Sequence, residues 1–282
     1  MKYSESNKPL VCMMTNSTCY KGTTQFTPKG VLWHSTGANN PWLKRYVQPS
    51  ENDPNYAELM QLLGKNQYGN DWNHEDIDAG LNAWVGELAD GSVATVQTLE
   101  WDMRPWGCGS GSKGSCNDGW IQFEICEDGL TDKDYFDKAY QEACEITAYL
   151  CDMFNINPKG TVTVNGVQVP TILCHADAHK LGLGSNHGDV NHWFPKHGKS
   201  MATAREDVAK EMDAEDAADY MLTGSVKLMV QTSGKKQERT YVVNIELTDL
   251  QTHRTVGMFE PREDVKNYLK KQGKIKKLLK YI

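Results

Sequence analysis

The sequence predicts an α/β domain with a mixed central sheet and flanking helices, followed by a small basic β-β-α unit. Three observations carry that expectation. Short apolar, β-branched runs alternate with segments whose apolar residues recur at the helical period. Hairpin signals at Asp90-Gly91 and Asn165-Gly166 insert antiparallel neighbours into that alternation. Charge divides the chain: residues 1–220 carry 17 Lys/Arg against 31 Asp/Glu (net −14), whereas residues 221–282 carry 13 against 6 (net +7). The acidic stretch MDAEDAADY marks the change, so the expected division is a domain over 1–212, a linker over 213–223 and a small domain over 224–282.

GVLWHS, 30–35, reads as a buried strand opening after Pro28-Lys29-Gly30. DPNYAELMQLL, 53–63, begins with a capping Asp and a first-turn Pro and stops at Gly64, which predicts a short helix. LNAWVGELADGSVATVQTL, 81–99, predicts two strands around Asp90-Gly91. In WIQFEICE, 120–127, alternation puts Ile121, Phe123 and Ile125 on one face and Trp120, Gln122, Glu124 and Cys126 on the other. TDKD, 131–134, has capping-box spacing, and Phe136, Ala139, Tyr140, Ala143, Ile146, Leu150 and Phe154 then repeat helically. TVTVNGVQVP, 161–170, predicts a hairpin, ILCH a further strand, and MATAREDVAKEM, 201–212, a closing helix. The tail predicts strands at SVKLMVQTS and RTYVVNIELTDL, then a lysine-rich helix near 262–282.

Several function classes are disfavoured. No run approaches eighteen apolar residues, so no integral membrane segment is expected. MKYSESNKPL lacks the basic-then-apolar layout of a secretory signal, and the chain is expected to be made in the cytoplasm. Its eight cysteines contain no CxxC pair and read as buried thiols. WGCGSGSKGSC, 106–116, lacks the phosphate-loop spacing and the papain-type CGSCW signature; it reads as the wall of a groove. A metal-free peptidase using Cys108 is the rival that this loop leaves open. No nucleic-acid module is recognisable.

The chemistry concentrates in histidines. A catalytic zinc is held by a few imidazoles, thiolates or carboxylates on rigid elements. His34 ends the strand GVLWH and His175 ends TILCH. SNHGDVNHWFPKHG, 185–198, then packs His187, His192, His197 and Asp189 into fourteen positions. The third ligand is either Asp189, brought close by Gly188, or His179, spaced i,i+4 from His175 in HADAH. His192 and His197, flanked by Trp193, Phe194 and Pro195, read as packing or substrate-contact residues, and His74 as an exposed turn residue.

GVLWHSTG (30–37), RPWGCGSG (104–111), WIQFEICED (120–128) and LCHADAHKLGLGSNHGDVNHWFPKHG (173–198), in that order, resemble the zinc-dependent N-acetylmuramoyl-L-alanine amidases. That family shares its fold with peptidoglycan-recognition proteins and short phage lysozyme-type amidases. The likeness runs from about Gly30 to Met212. It implies a zinc ion held by His34, His175 and Asp189. Glu124 would be the acidic group across the metal, moving a proton from water to the leaving nitrogen. The family often has a lysine two residues before the third ligand; His187 stands there, and as a cation it would hold a developing oxyanion.

The implied substrate is bacterial peptidoglycan, cut between N-acetylmuramic acid and L-alanine. With the basic tail as a unit attracted to anionic wall polymers, the expectation is a phage or prophage endolysin, cytoplasmic until lysis. The alternatives are a non-catalytic peptidoglycan-binding module of the same fold and a cytoplasmic muropeptide-recycling amidase.

Overall fold

The computed structural model describes residues 2–218, 220–233, 236–249 and 254–259, with side chains through residue 213. The chain forms two compact units, Met1–Ala209 and Lys210–Ile282. The first runs β1 (Leu10–Val11), α1 (Thr18–Gly22), β2 (Gly30–Ser35), α2 (Tyr56–Leu63), β3 (Ala83–Glu87), β4 (Val93–Gln97), β5 (Trp120–Ile125), α3 (Lys133–Met153), β6 (Thr161–Val164), β7 (Val167–Pro170), β8 (Ile172–Cys174), α4 (His175–Lys180) and the start of α5 (Met201–Ala218). The central sheet has the order β1-β4-β3-β5-β2-β8. Only the β3–β4 pair is antiparallel, so the sheet is mixed, as the sequence predicts.

Alternation along β2 explains why a histidine beside a tryptophan is useful there. Trp33 turns into an aromatic core with Phe123, Tyr140 and Phe194, ring centroids 5.4 to 6.1 Å away, whereas His34 turns to the opposite face. Tyr140 belongs to α3, which packs on β2, β3 and β4. Asp132 caps this helix through Tyr135 N, one residue later than the capping-box reading places the cap. In the parallel register His34 stands beside Glu124.

The second hairpin forms as expected, with Asn165 and Gly166 at φ 49° and 78°, but β6 and β7 make a separate two-stranded sheet. Two short elements escape the sequence reading. β1 is two residues long and exists through its pairing with β4. The five-residue α1 is nucleated by Ser17, whose side chain accepts from Tyr20 N.

The second unit contains an antiparallel sheet of order β11-β10-β9, with β9 at Tyr220–Ser233, β10 at Lys236–Asp249 and β11 at Arg254–Phe259. β11 is a strand beyond the two expected. Residues 213–223, expected as a linker, hold the end of α5 and the start of β9. The lysine-rich helix expected near 262–282 lies outside the described residues. Among the described residues no helix is long and apolar enough to cross a membrane.

Candidate metal centre and active site

Two parallel strands and one loop bring the key groups together. His34, near the end of β2, and His175, the first residue of α4, are each 3% exposed. The loop after α4 folds back, and the Asp189 carbonyl accepts from Ala176 N at 3.1 Å, which sets the third residue beside the second. Asp189 Oδ2 then lies 3.1 Å from His34 Nδ1 and 3.8 Å from His175 Nδ1, and the two Nδ1 atoms are 3.2 Å apart.

The far nitrogens of both rings are occupied, which fixes what the near ones present. Asn117 Oδ1 accepts from Cys108 N at 3.0 Å and from Gln122 Nε2 at 2.8 Å. The Gln122 amide is therefore oriented with Oε1 toward His34, and it accepts from His34 Nε2 at 2.8 Å. Ser185 Oγ lies 3.1 Å from His175 Nε2 and donates to the Cys108 carbonyl at 3.3 Å, so it accepts from His175. Nδ1 is therefore the atom that each ring turns toward Asp189: in His34 it carries a proton shared with that carboxylate, and in either ring the neutral form offers its lone pair there to a metal.

The electrostatics match a site built around a cation. Burial disfavours charge on His34, but its hydrogen bond with Asp189 and the Glu124 and Asp189 charges outweigh this and raise it to about 9. Burial, then repulsion from His34, lowers His175 to about 4. Asp189 is held below the usual carboxylate range: burial acts upward, and the His34 hydrogen bond and both histidine charges overcome it. Burial pushes Glu124 up to about 8, opposed by His34 and reinforced by Asp189 and Glu127. One positive charge thus stabilises the cluster.

The donor set fits a divalent ion. Ligands ~2.0–2.1 Å from a tetrahedral zinc stand about 3.3 Å apart, the range these three atoms already span. His34, His175 and Asp189 are the one group of three such ligands found among the described residues.

The family model for N-acetylmuramoyl-L-alanine amidase matches residues 24–189, which span every residue of this cluster. The chain belongs to that family. A second model, described as the peptidoglycan-synthase activator LpoB, matches residues 196–256. Curated proteins give no match. Among solved structures, a Staphylococcus aureus hydrolase, AmiA, in complex with its ligand is 17% identical with a TM-score of 0.47, over 74% of this chain and 86% of that one. PlyL is 18% identical with a TM-score of 0.44, over 70% and 93%. The PlyG catalytic domain is 16% identical with a TM-score of 0.44, over 72% and 94%.

In the amidase, the cluster opens into a groove of roughly 980 Å³ lined by Trp72, Leu81, Trp106, Glu124, Glu127 and His192, among others. Glu124 Oε2 lies 4.0 Å from His34 Nδ1 with the carboxylate side chain 15% exposed, so it reaches both the cluster and the groove. Gly107 roofs the site: a Cβ there would lie 2.3 Å from Gln122 Oε1 and 3.2 Å from His34 Nε2, so only glycine permits this approach. His187 is exposed on the groove wall, its ring 4.5 Å from that of His175 and its Nδ1 3.2 Å from Ser185 Oγ.

Other candidates separate from the site. His179 does not complete the ligand set; its Nδ1 donates to the Gly184 carbonyl at 3.3 Å, one helical turn beyond His175. His197 stacks on Phe136 at 4.0 Å, a packing role, whereas His192 reaches the groove and meets Glu127 Oε1 at 2.8 Å. Cys108 is fully buried, its Sγ 3.1 Å from Asn117 Oδ1, so it presents no nucleophile to the groove. Trp84 and Trp193 are buried, whereas Trp72 and Trp106 line the groove. Sequence reasoning did not assign roles to Gln122 or Ser185. The signal for Gln122 was its place on the same strand face as Glu124; Ser185 gave none, because its role depends on a loop returning to His175.

Proposed function

We propose that this amidase is zinc-dependent and hydrolyses the bond between the lactyl carbonyl of N-acetylmuramic acid and L-alanine. The observation that carries the reading is the convergence of His34 Nδ1, His175 Nδ1 and Asp189 Oδ2 beside a half-buried Glu124 on the floor of an open groove. His34, His175 and Asp189 would hold the zinc, which would supply a Lewis acid for the amide carbonyl and lower the pKa of water.

The chain's own groups do the rest. Gln122 and Ser185 hold the two imidazoles with Nδ1 inward, so neither ring must reorient. Glu124 accepts the proton of the attacking water and delivers it to the departing alanine nitrogen; its raised affinity for a proton suits both halves of that transfer. His187, exposed beside His175, donates to the developing oxyanion.

The biological reading is an endolysin that reaches the wall at lysis. Its support is that residues 196–256, most of them in the second unit, match a peptidoglycan-synthase activator family, and that residues 221–282 carry a net charge of +7. That unit would hold the enzyme on the wall, with anionic polymers as ligands of complementary charge. Digestion of purified walls tests the activity. Wild-type protein should release free muramic-acid lactyl carboxyls together with free alanine amines, identified by mass spectrometry; a chelator should stop this and zinc restore it. New termini at any other bond, or lysis indifferent to chelator, would refute the reading. Binding to walls without new termini would establish the non-catalytic module instead.

A further inference from the structure

Trp106 lines two depressions. One is the groove that holds the metal cluster. The other, of about 590 Å³, is lined by Asn16, Lys21, Asn73, His74, Asp76 and Trp106, among others. Nothing in the chemistry described so far uses the second.

Its walls are fixed rather than incidental. The Trp106 backbone pairs with Gly80, N to O at 2.8 Å. A Cβ on Gly22 would lie 2.8 Å from the edge of the Trp106 indole, so the half-buried ring rests against bare backbone there. Facing it, the buried Asn73 accepts from Asn16 N at 3.0 Å and donates to the Gln48 carbonyl at 3.1 Å and to Ser50 Oγ at 3.0 Å. His74 Nδ1 is engaged by Asp71 Oδ1 at 2.8 Å, which leaves Nε2 as the ring atom that the residue presents. Thr18 Oγ1 donates to Asp76 Oδ1 at 3.2 Å, and Lys21 Nζ to the Asn16 carbonyl at 2.7 Å.

A planar aromatic wall opposite amide, imidazole and carboxylate groups is suited to a pyranose ring, which offers an apolar C–H face and a rim of hydroxyl and acetamido groups. The charges are mixed, which disfavours a polyanion, and the charged groups of Lys21, Glu75 and Asp76 among its lining disfavour an acyl chain.

Strand register supplies the direction. Leu81 and Trp106 lie toward the N-terminal end of β5, since Ala83 pairs with Phe123 and Gly80 with Trp106. Glu127, Asp128 and His192 lie beyond its C-terminal end. The groove therefore runs along β5 from an end formed by Trp106, Leu81 and Asp78 to an end formed by Glu127, Asp128 and His192, with Glu124 between. A stem peptide brings amines and carboxylates; a glycan strand brings rings.

We propose that the depression next to Trp106 is a saccharide subsite that takes an N-acetylhexosamine ring of the glycan strand, adjoining the muramic residue whose amide is cut. This rests on the peptidoglycan-amidase reading for its substrate. The test uses the full chain and two substrates, a glycan of several disaccharides bearing stem peptides and a single muramoyl peptide. Two variants alter the subsite: H74A removes a polar partner, and N16W fills the space from an exposed position at which only backbone contacts are described. The ratio of kcat/KM for the polymer to that for the single sugar should fall about tenfold in both. In parallel, chitotetraose, an N-acetylglucosamine tetramer, should shift the Trp106 indole N–H resonance of the wild type, assigned by its loss in W106F. The shift should need about tenfold more ligand in H74A and N16W. An unchanged rate ratio, or a Trp106 signal indifferent to millimolar chitotetraose, overturns the subsite. Should the wild type cleave neither substrate, the amidase reading fails on its own, and the titration still decides the subsite.

Discussion

Gln122 makes the sharpest test of how the metal centre is organised. It is fully buried, and its amide is the only partner described for His34 Nε2, at 2.8 Å. Replacing it with methionine keeps the volume and removes the acceptor. His34 Nε2–H is then buried without a partner, at a cost of ~1–3 kcal/mol, and the ring can relieve that cost by turning or changing tautomer. Either response withdraws the Nδ1 lone pair from the cluster. At 1.4 kcal/mol per decade this predicts zinc affinity ~10–100-fold weaker. Asn117 Oδ1 keeps its bond from Cys108 N, so the loop is not otherwise released. The assay is competition with a chromogenic chelator on the full chain, with thermal denaturation of the metal-free proteins to separate folding from binding. Equal affinities for Q122M and wild type would refute the claim that this amide sets the histidine.

Three further outcomes follow from the same geometry. E124Q should lower kcat on walls by ~10²–10⁴ while binding zinc as well as wild type, because Glu124 faces the cluster without being one of its three ligands; metal content and single-turnover rates check this. E142A should destabilise the first unit by ~1–3 kcal/mol in urea denaturation, because the Glu142 carboxylate accepts from Thr95 Oγ1 at 2.8 Å and from the Tyr3 hydroxyl in the core. The eight thiols should resist alkylation at pH 8 until the protein unfolds. All are buried and out of reach of the reagent; burial also pushes Cys12 and Cys151 to about 12 and Cys19 and Cys174 to about 11, whereas the hydrogen bond from Cys116 draws Cys108 below the ordinary thiol value, so Cys108 is protected by its burial alone. Rapid native labelling with loss of lysis would instead revive a thiol mechanism.

What the sequence disclosed depends on the range over which each feature is determined. β2, β5 and α3 are long, periodic and locally capped, and they were legible. His34 and His175 were legible because a polar residue closing an apolar strand is conspicuous, and Asp189 because glycine and histidine precede it. The residues that tune the site were not. Gln122 and Ser185 matter through contacts with side chains 88 and 10 residues away, which only the packed sheet and the returning loop create. His179 shows the reverse: its spacing fits a helix and the helix forms, yet the next turn carries its ring to Gly184. β1 and α1 are too short for periodicity to register, and β11 lies where the tail suggested only a connection.

X-ray absorption at the zinc edge of the loaded enzyme tests the central claim most directly. The account predicts one zinc per chain with a first shell of nitrogen and oxygen only, at ~2.0–2.2 Å, carrying the multiple-scattering signature of two imidazoles and reduced to one in H175A. A sulfur scatterer at about 2.3 Å, or a shell unchanged in H175A and D189A, would contradict it.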